Sequence, residues 1–339
     1  MRHVKVIPLN LFGVPFGLAG LAEAWLVLAG QHHAPVLVGE IVLLGSAGSW
    51  LVVVGAYALA VARRPSPWSA LQGDLLHPVA APFASLAVIT PMLLASLGLF
   101  RYAETPGRVV TDVFIALTVL LGGWFTGQWI YGPLDVDRFH PGYFLPTVAG
   151  GLVASAAAAT VGQPLLAQVL FGLGVLCWIV LGSVILGRLL FRPLLPAALQ
   201  PTLAIEVAPA AVASLAWFAM HGEHLDAVVA FLGGYGLLMV IAQLRLLPAY
   251  RRLSFSPGLW AFTFSSAAVT AVALIWLELG RPSGYRVWQY TAIAAVSLLV
   301  GGIAGRTLVA IWRGDLLPAP PTAGSVTGTA EPAAVAGRA

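Results

Sequence analysis

Ten long apolar runs alternate with short polar breaks along this chain. The runs fall at 8–29, 36–62, 78–100, 108–131, 141–162, 164–190, 202–221, 225–247, 257–279 and 286–312. Each is close to the roughly 20 residues that a helix needs to cross a hydrocarbon core of about 30 Å. The breaks carry turn residues and charge, as in "GQHHAP", "RRPSPW", "RYAETPGR", "DVDRFHP" and "HGEHLD". The pattern predicts an all-α integral membrane protein of ten transmembrane helices. An even number of crossings returns both termini to one side. The end of the chain, "GDLLPAPPTAGSVTGTAEPAAVAGRA", is rich in Pro, Ala, Gly and Thr and is expected to be disordered. The expected organisation is a short cytoplasmic N-terminus over 1–7, a transmembrane domain over 8–312 and a cytoplasmic tail over 313–339.

Composition agrees with the pattern. The 339 residues are 59% hydrophobic and 9% charged, against roughly 25% charged in soluble domains. The net charge of +4 is therefore a matter of membrane topology and points to no nucleic-acid partner. Counting Lys and Arg, 13 fall on the side of the termini and 4 on the other (Arg101, Arg108, Arg281 and Arg286), which accounts for all 17. The positive-inside rule places the richer side in the cytoplasm, so the protein is expected in the inner (cytoplasmic) membrane with both ends inside. The first run is longer than the roughly 7–15 apolar residues of a signal peptide and reads as a retained helix. A single cysteine, Cys177, excludes an internal disulfide and a multi-Cys metal site. No HExxH, GxSxG or phosphate-binding loop occurs, so neither an enzyme nor a cofactor is expected.

Prolines add a second periodicity. Pro15, Pro91, Pro146 and Pro209 lie inside runs 1, 3, 5 and 7, while the even runs have none in their interiors. Proline removes a helical hydrogen bond, and in lipid the freed carbonyl must find a partner in protein or water. A repeating pair of helices follows, one kinked and one straight. Five such hairpins in one orientation can close a ring, with the odd helices inside around a central path. Their Gly and Ala content ("FGVPFGLAG", "PTVAGGLVASAAAA", "APAAVASLA") suits close packing there.

The segments "LFGVPFGLAGLAEAW", "HPGYFLPTVAG", "APAAVASLAWFAMHGE", "GGYGLLMVIAQLRLLP" and "GLWAFTFSSAA" together resemble the tellurite-resistance/dicarboxylate transporter family, which includes the plant slow-type anion channels. The resemblance runs from about Pro8 to about Trp312. It implies five hairpins around a pore, a homotrimer with one pore per subunit, a small anion as substrate and a phenylalanine that blocks the path. In the segment Trp260-Ala261-Phe262-Thr263-Phe264 the second phenylalanine, Phe264, matches that gate.

Register leads to the same residue. With the odd helices aligned on Pro15, Pro91, Pro146, Pro209 and Ser265, the preceding position holds Val14, Thr90, Leu145, Ala208 and Phe264. One ring among smaller side chains could close a path lined by that layer. Phe262 lies about 200° from Phe264 around the helix. It falls in a bulkier layer with Phe12, Val88, Tyr143 and Glu206, suited to packing against outer helices.

Intramembrane acids are functional candidates by default. Glu23 and Glu206 lie in runs 1 and 7. Glu206 is expected either to face away from the path and pair with a neighbour, or to couple transport to protons. Asp112 and Glu278 sit nearer run ends. The "HGEH" at His221–His224 lacks a full metal-ligand set. Arg188, Arg192 and Arg245 either anchor the topology or draw anions to the inner mouth. The expected function is passage of small inorganic or organic anions through a phenylalanine-occluded pore. The alternative is a proton-coupled carrier of dicarboxylate, or of a related tellurite- or sulfite-type anion.

Overall fold

The computed structural model describes residues 7–132 and 134–317, and all its regular structure there is helical. The expected N-terminal segment and tail fall almost wholly outside the described residues. Ten helices are long and apolar enough to cross a membrane: Leu9–Gly30, Val36–Ala62, Ala81–Tyr102, Glu104–Tyr131, Pro141–Thr160, Pro164–Phe191, Gln200–His221, Ala227–Tyr250, Pro257–Gly280 and Tyr285–Arg313. They are called spans 1 to 10 below.

Burial alternates along the chain. In the odd spans 56–83% of the most apolar stretch is buried within the protein, and in the even spans 11–28%. Both sets are apolar, the even spans somewhat more so, and the difference in burial is one of partner. The even spans present Leu, Val and Ile outward, as a lipid-facing helix must, while the odd spans bury Gly, Ala and Pro against protein. Each odd span packs against the even span that follows it. Span 1 also packs on spans 3 and 9, span 5 on spans 3 and 7, and span 7 on span 9.

Each odd span opens with a 3-10 segment: Leu9–Phe12, Ala81–Ser85, Pro141–Phe144, Gln200–Val207 and Pro257–Trp260. The four prolines sit near the seam that follows. Pro15 and Pro209 fall in the first turn of the α-helical part, where a missing N–H costs little. Pro146 lies in a π-helical turn, Leu145–Ala149, and Pro91 lies one turn before another, Ala95–Leu99. The carbonyls that proline leaves free are taken up. Ala87, four residues before Pro91, accepts a 2.9 Å hydrogen bond from Trp50 Nε1 of span 2. Gly142 and Ile205 accept from the backbone N–H three residues on.

Three features depart from the expected pattern. Pro67–Leu76 is a helix, where the sequence reads as a loop between spans 2 and 3. It lacks the apolar length to span, and no periodic run marked it. Span 8 continues to Tyr250, which places Pro248 inside an even span, in its last turn. Spans 3 and 4 are joined by Ala103 alone. That corner depends on Gly107, where a Cβ would lie 2.3 Å from the Phe100 Cα.

Candidate functional site

A cavity of about 40 Å³ lies between the N-terminal halves of all five odd spans. Its wall is made by the residues around the 3-10 seams. Span 1 gives Asn10, Gly13 and Phe16; span 3 gives Phe83 and Leu86; span 5 gives Leu145, Val148 and Leu152; span 7 gives Ile205, Ala208, Pro209 and Val212; span 9 gives Ala261, Phe264 and Ser265. Spacings of three and four keep these side chains on one face of each helix. Among the described residues no charged side chain lines the cavity. Its polar groups are few: Asn10, whose Oδ1 has no hydrogen-bond partner, and Ser265, whose hydroxyl donates to Ala261 O at 3.2 Å.

Two phenylalanines lie together in this wall. The Phe264 ring stacks on Phe16, with centroids 3.7 Å apart and planes at 16°. Both are buried, at 6% and 4% exposure. Phe264 also fills the space above Gly20, where a Cβ would sit 2.7 Å from Phe264 Cδ2.

Beyond the ring pair a second cavity, of about 300 Å³, lies between the C-terminal halves of the same five spans. Its wall is more polar and includes Glu23, Ser96, Thr160 and Glu223, with Leu93, Leu215 and Ile275. Phe16 and Glu23 are seven residues apart, about 10 Å along a helix. Desolvation and the nearby Glu278 carboxylate push the Glu223 carboxyl above its ordinary value. Glu278 itself is held by His33 Nε2 at 2.9 Å and Arg281 Nη2 at 2.7 Å.

The structure brings some of the expected residues together and separates others. Phe264, Leu145, Ala208, Pro209 and Ser265 share the first cavity. Val14 does not. It faces a lateral apolar groove with Leu11, Leu18 and Leu308. Thr90 is buried beside the cavity, and its hydroxyl donates to Leu86 O at 2.7 Å. Pro15, Pro91 and Pro146 are buried without lining either cavity. Span 3 meets the cavity through Phe83 and through Leu86, four residues before Thr90. The reason is helical geometry. A 3-10 segment advances about 120° per residue and an α-helix about 100°. The 3-10 segments differ in length, so a proline fixes height along the axis but not rotation about it.

Phe262 packs outward, edge-on against Tyr250 at 4.8 Å, and Phe12 does the same with Tyr57 at 6.0 Å. Glu206 lines neither cavity. It is buried, one carboxylate oxygen has no partner, and it lies near Tyr235 and Tyr250 of span 8. Arg188 is pinned, its guanidinium donating to Asp137 O at 3.1 Å. Arg192 faces Asp137 Oδ1 at 3.7 Å. Asp112 accepts from Gln163 Nε2 at 2.8 Å. In "HGEH", His221 stacks on Trp217 and His224 faces Asp226, and no group of three metal-ligating side chains occurs among the described residues.

Sequence reasoning missed Phe16, and it read His140 only as a loop or interfacial residue. Phe16 is one residue after its proline, outside the aligned layer. His140 precedes span 5 and is buried. Its Nε2 donates to Val79 O at 3.1 Å, its Nδ1 accepts from Gly142 N at 3.1 Å, and its ring stacks on Phe83 of the cavity wall. Burial pushes the imidazole down to about 4, which keeps it neutral, and the two hydrogen bonds select that tautomer.

Known proteins match this chain in sequence over nearly its full length. The family described as SLAC1, voltage-dependent anion channel, matches residues 7–308. The tellurite resistance protein TehA homolog of Haemophilus influenzae is 26% identical over 310 residues, covering 91% of this chain and 92% of that protein. The guard cell S-type anion channel SLAC1 of Arabidopsis thaliana is 24% identical over 322 residues, covering 90% of this chain and 56% of that one. The S-type anion channel SLAH3 of the same plant is 23% identical over 337 residues and is covered to 49%. The chain thus spans about half the length of these plant relatives and nearly all of the bacterial one. A match that takes in all ten spans, and with them both cavities and the ring pair, places this chain in the SLAC1 voltage-dependent anion channel family.

Proposed function

We propose that the protein passes small inorganic or organic anions across the cytoplasmic membrane, along a path between five hairpins with the odd spans inside, and that Phe264 occludes it. The observation that carries this reading is a cavity walled by all five odd spans with Phe264 at its wall and a second cavity on the far side. The packing of odd spans on one another, 1 to 3 to 5 to 7 to 9 and back to 1, supports the ring. Membership of an anion-channel family supports the substrate class. A cavity with no charged wall suits passage without tight binding, and an apolar constriction opposes ions by dewetting. Residues 8–312 form the transport unit, with both termini cytoplasmic on the 13-to-4 distribution of Lys and Arg. A homotrimer with one path per subunit follows from the family resemblance.

The test is anion flux in proteoliposomes, compared across chloride, nitrate, sulfite and malate. Phe264→Ala should raise flux with the fold kept, and Phe262→Ala should not. Equal, low flux from both would refute the occluded path.

One observation favours the proton-coupled alternative, and it concerns Glu23. This carboxylate lines the second cavity, on the proposed path, whereas Glu206 lies off it. In a coupled carrier Glu23→Gln abolishes uptake driven by a pH gradient. In a passive channel the same change leaves flux intact or raises it.

A further inference from the structure

We propose that the barrier is two rings rather than one, with Phe16 of span 1 as a second gate residue and Gly20 as the seat that lets Phe264 lie against it. The inference rests on the path proposed above and deepens it. Phe16 and Phe264 both line the first cavity and come from two spans that pack closely on each other. Their centroids are 3.7 Å apart at 16°, so the rings lie almost face to face with little offset. Free aromatic pairs settle at about 4.5–7 Å in offset or edge-on arrangements. The close stack is therefore imposed by what surrounds it.

Where spans 1 and 9 meet, the residues beside the ring pair are small. Gly20 lies one turn beyond Phe16 on the same face of span 1. A Cβ there would overlap Phe264 Cδ2 at 2.7 Å, and Ala267 Cβ lies 3.4 Å from the same point. Span 1 turns Gly13, Gly17 and Gly20 toward span 9, where added Cβ atoms would meet Trp260, Thr263, Phe264 and Ala267. Phe83, Phe144 and Trp260 line the cavity too, and what sets Phe16 apart is that its ring lies face to face on Phe264, whereas Phe12 packs away from the cavity against Tyr57.

A paired barrier behaves differently from a single plug. When one ring is cut to alanine, the other can lean into the vacated space, so each single change opens the path only in part. Removing both leaves nothing to relax, and the double variant should exceed the product of the two singles.

The experiment measures chloride flux in proteoliposomes for wild type, Phe16→Ala, Phe264→Ala and the double variant, each normalised to folded protein by size-exclusion recovery. Phe16→Ala alone should raise flux roughly 2- to 10-fold, the effect of losing one aromatic stacking partner from the barrier, and the double should exceed the product. Phe16→Leu keeps apolar bulk without a flat face. It should raise flux less than alanine, and it serves where Phe16→Ala folds poorly. If Phe264→Ala conducts while Phe16→Ala and Phe16→Leu are silent, and the double matches Phe264→Ala, the second ring is refuted and the occluded path stands. If none of the variants conducts, the occluded path itself falls.

Discussion

The two cavities are made by the same five helices and differ in almost everything else. Near the N-terminal ends the wall is Leu, Val, Ile and Phe, with about 40 Å³ of room. Near the C-terminal ends it carries Glu23, Glu223, Ser96 and Thr160 around about 300 Å³. One end is closed by packing and the other is open and acidic. An anion would meet a steric and dewetting barrier at one level and electrostatic repulsion at the other. The basic residues Arg188 and Arg192 sit toward the narrow end and are already engaged by Asp137.

The largest effect is expected where bulk is removed from the narrow end. Phe264→Ala should raise anion flux by at least about tenfold, as loss of an apolar constriction removes a dewetting barrier. Phe262→Ala, which loses only its edge-on contact with Tyr250, should leave flux unchanged. Parallel flux measurements on the two variants check the contrast, and a reversed order would place the narrow point on the wrong face of span 9.

A smaller effect is expected at the open end. Neutralising Glu23→Gln or Glu223→Gln removes repulsion from the second cavity and should raise passive flux roughly 2- to 10-fold. The Glu223 carboxyl is raised above its ordinary value, so it takes up a proton earlier as that side is acidified. Flux in wild type should then rise as pH falls on that side, and Glu223→Gln should flatten the profile. A profile that stays steep in both variants would remove the acids from the path.

Gly20→Ala probes the junction between the two regions. The added methyl overlaps Phe264 and should cost about 1–3 kcal/mol as overpacking. In a Phe264→Ala background the overlap is gone and the cost should fall to within about 0.5 kcal/mol of zero. Denaturation midpoints of the four proteins in detergent give the coupling directly.

His140 links the narrow end to solution pH. Its folded-state value, about 4, lies below the ordinary 6.5, so the folded protein resists protonation. Its stabilising contribution is present above pH 6.5 and is lost as pH falls from there toward 4, by up to about 3 kcal/mol. Thermal melts across that window should show the loss in wild type and a shallower slope in His140→Gln. The smallest effect is expected at Glu206→Gln. That residue lines neither cavity, so passive flux should stay within about twofold of wild type.

Much of the architecture was legible in the chain. The ten runs predicted from apolar length match the ten spans to within about four residues, because in lipid a backbone can satisfy its own hydrogen bonds only as a helix or a closed barrel. The odd-even difference was legible too, through Pro15, Pro91, Pro146 and Pro209 and the small residues beside them. A mid-helix proline needs a neighbour that takes up the carbonyl it frees, which protein supplies and lipid does not, although glycines such as Gly45, Gly48 and Gly172 also occur on the outward faces of even spans. Phe264 and its contrast with Phe262 could be read from a 100° helical step. What the sequence could not determine was rotation. Val14 and Thr90 share a layer with Phe264 on paper, yet Val14 faces a lateral groove and Leu86 takes the place of Thr90. Unequal 3-10 and π segments turned each helix by an amount that no periodicity records. Nor could it pair Phe16 with Phe264, or put Glu23 in one cavity and Glu206 in none. Those placements depend on how close two helices approach, and at Gly20 that distance is set by an absent side chain.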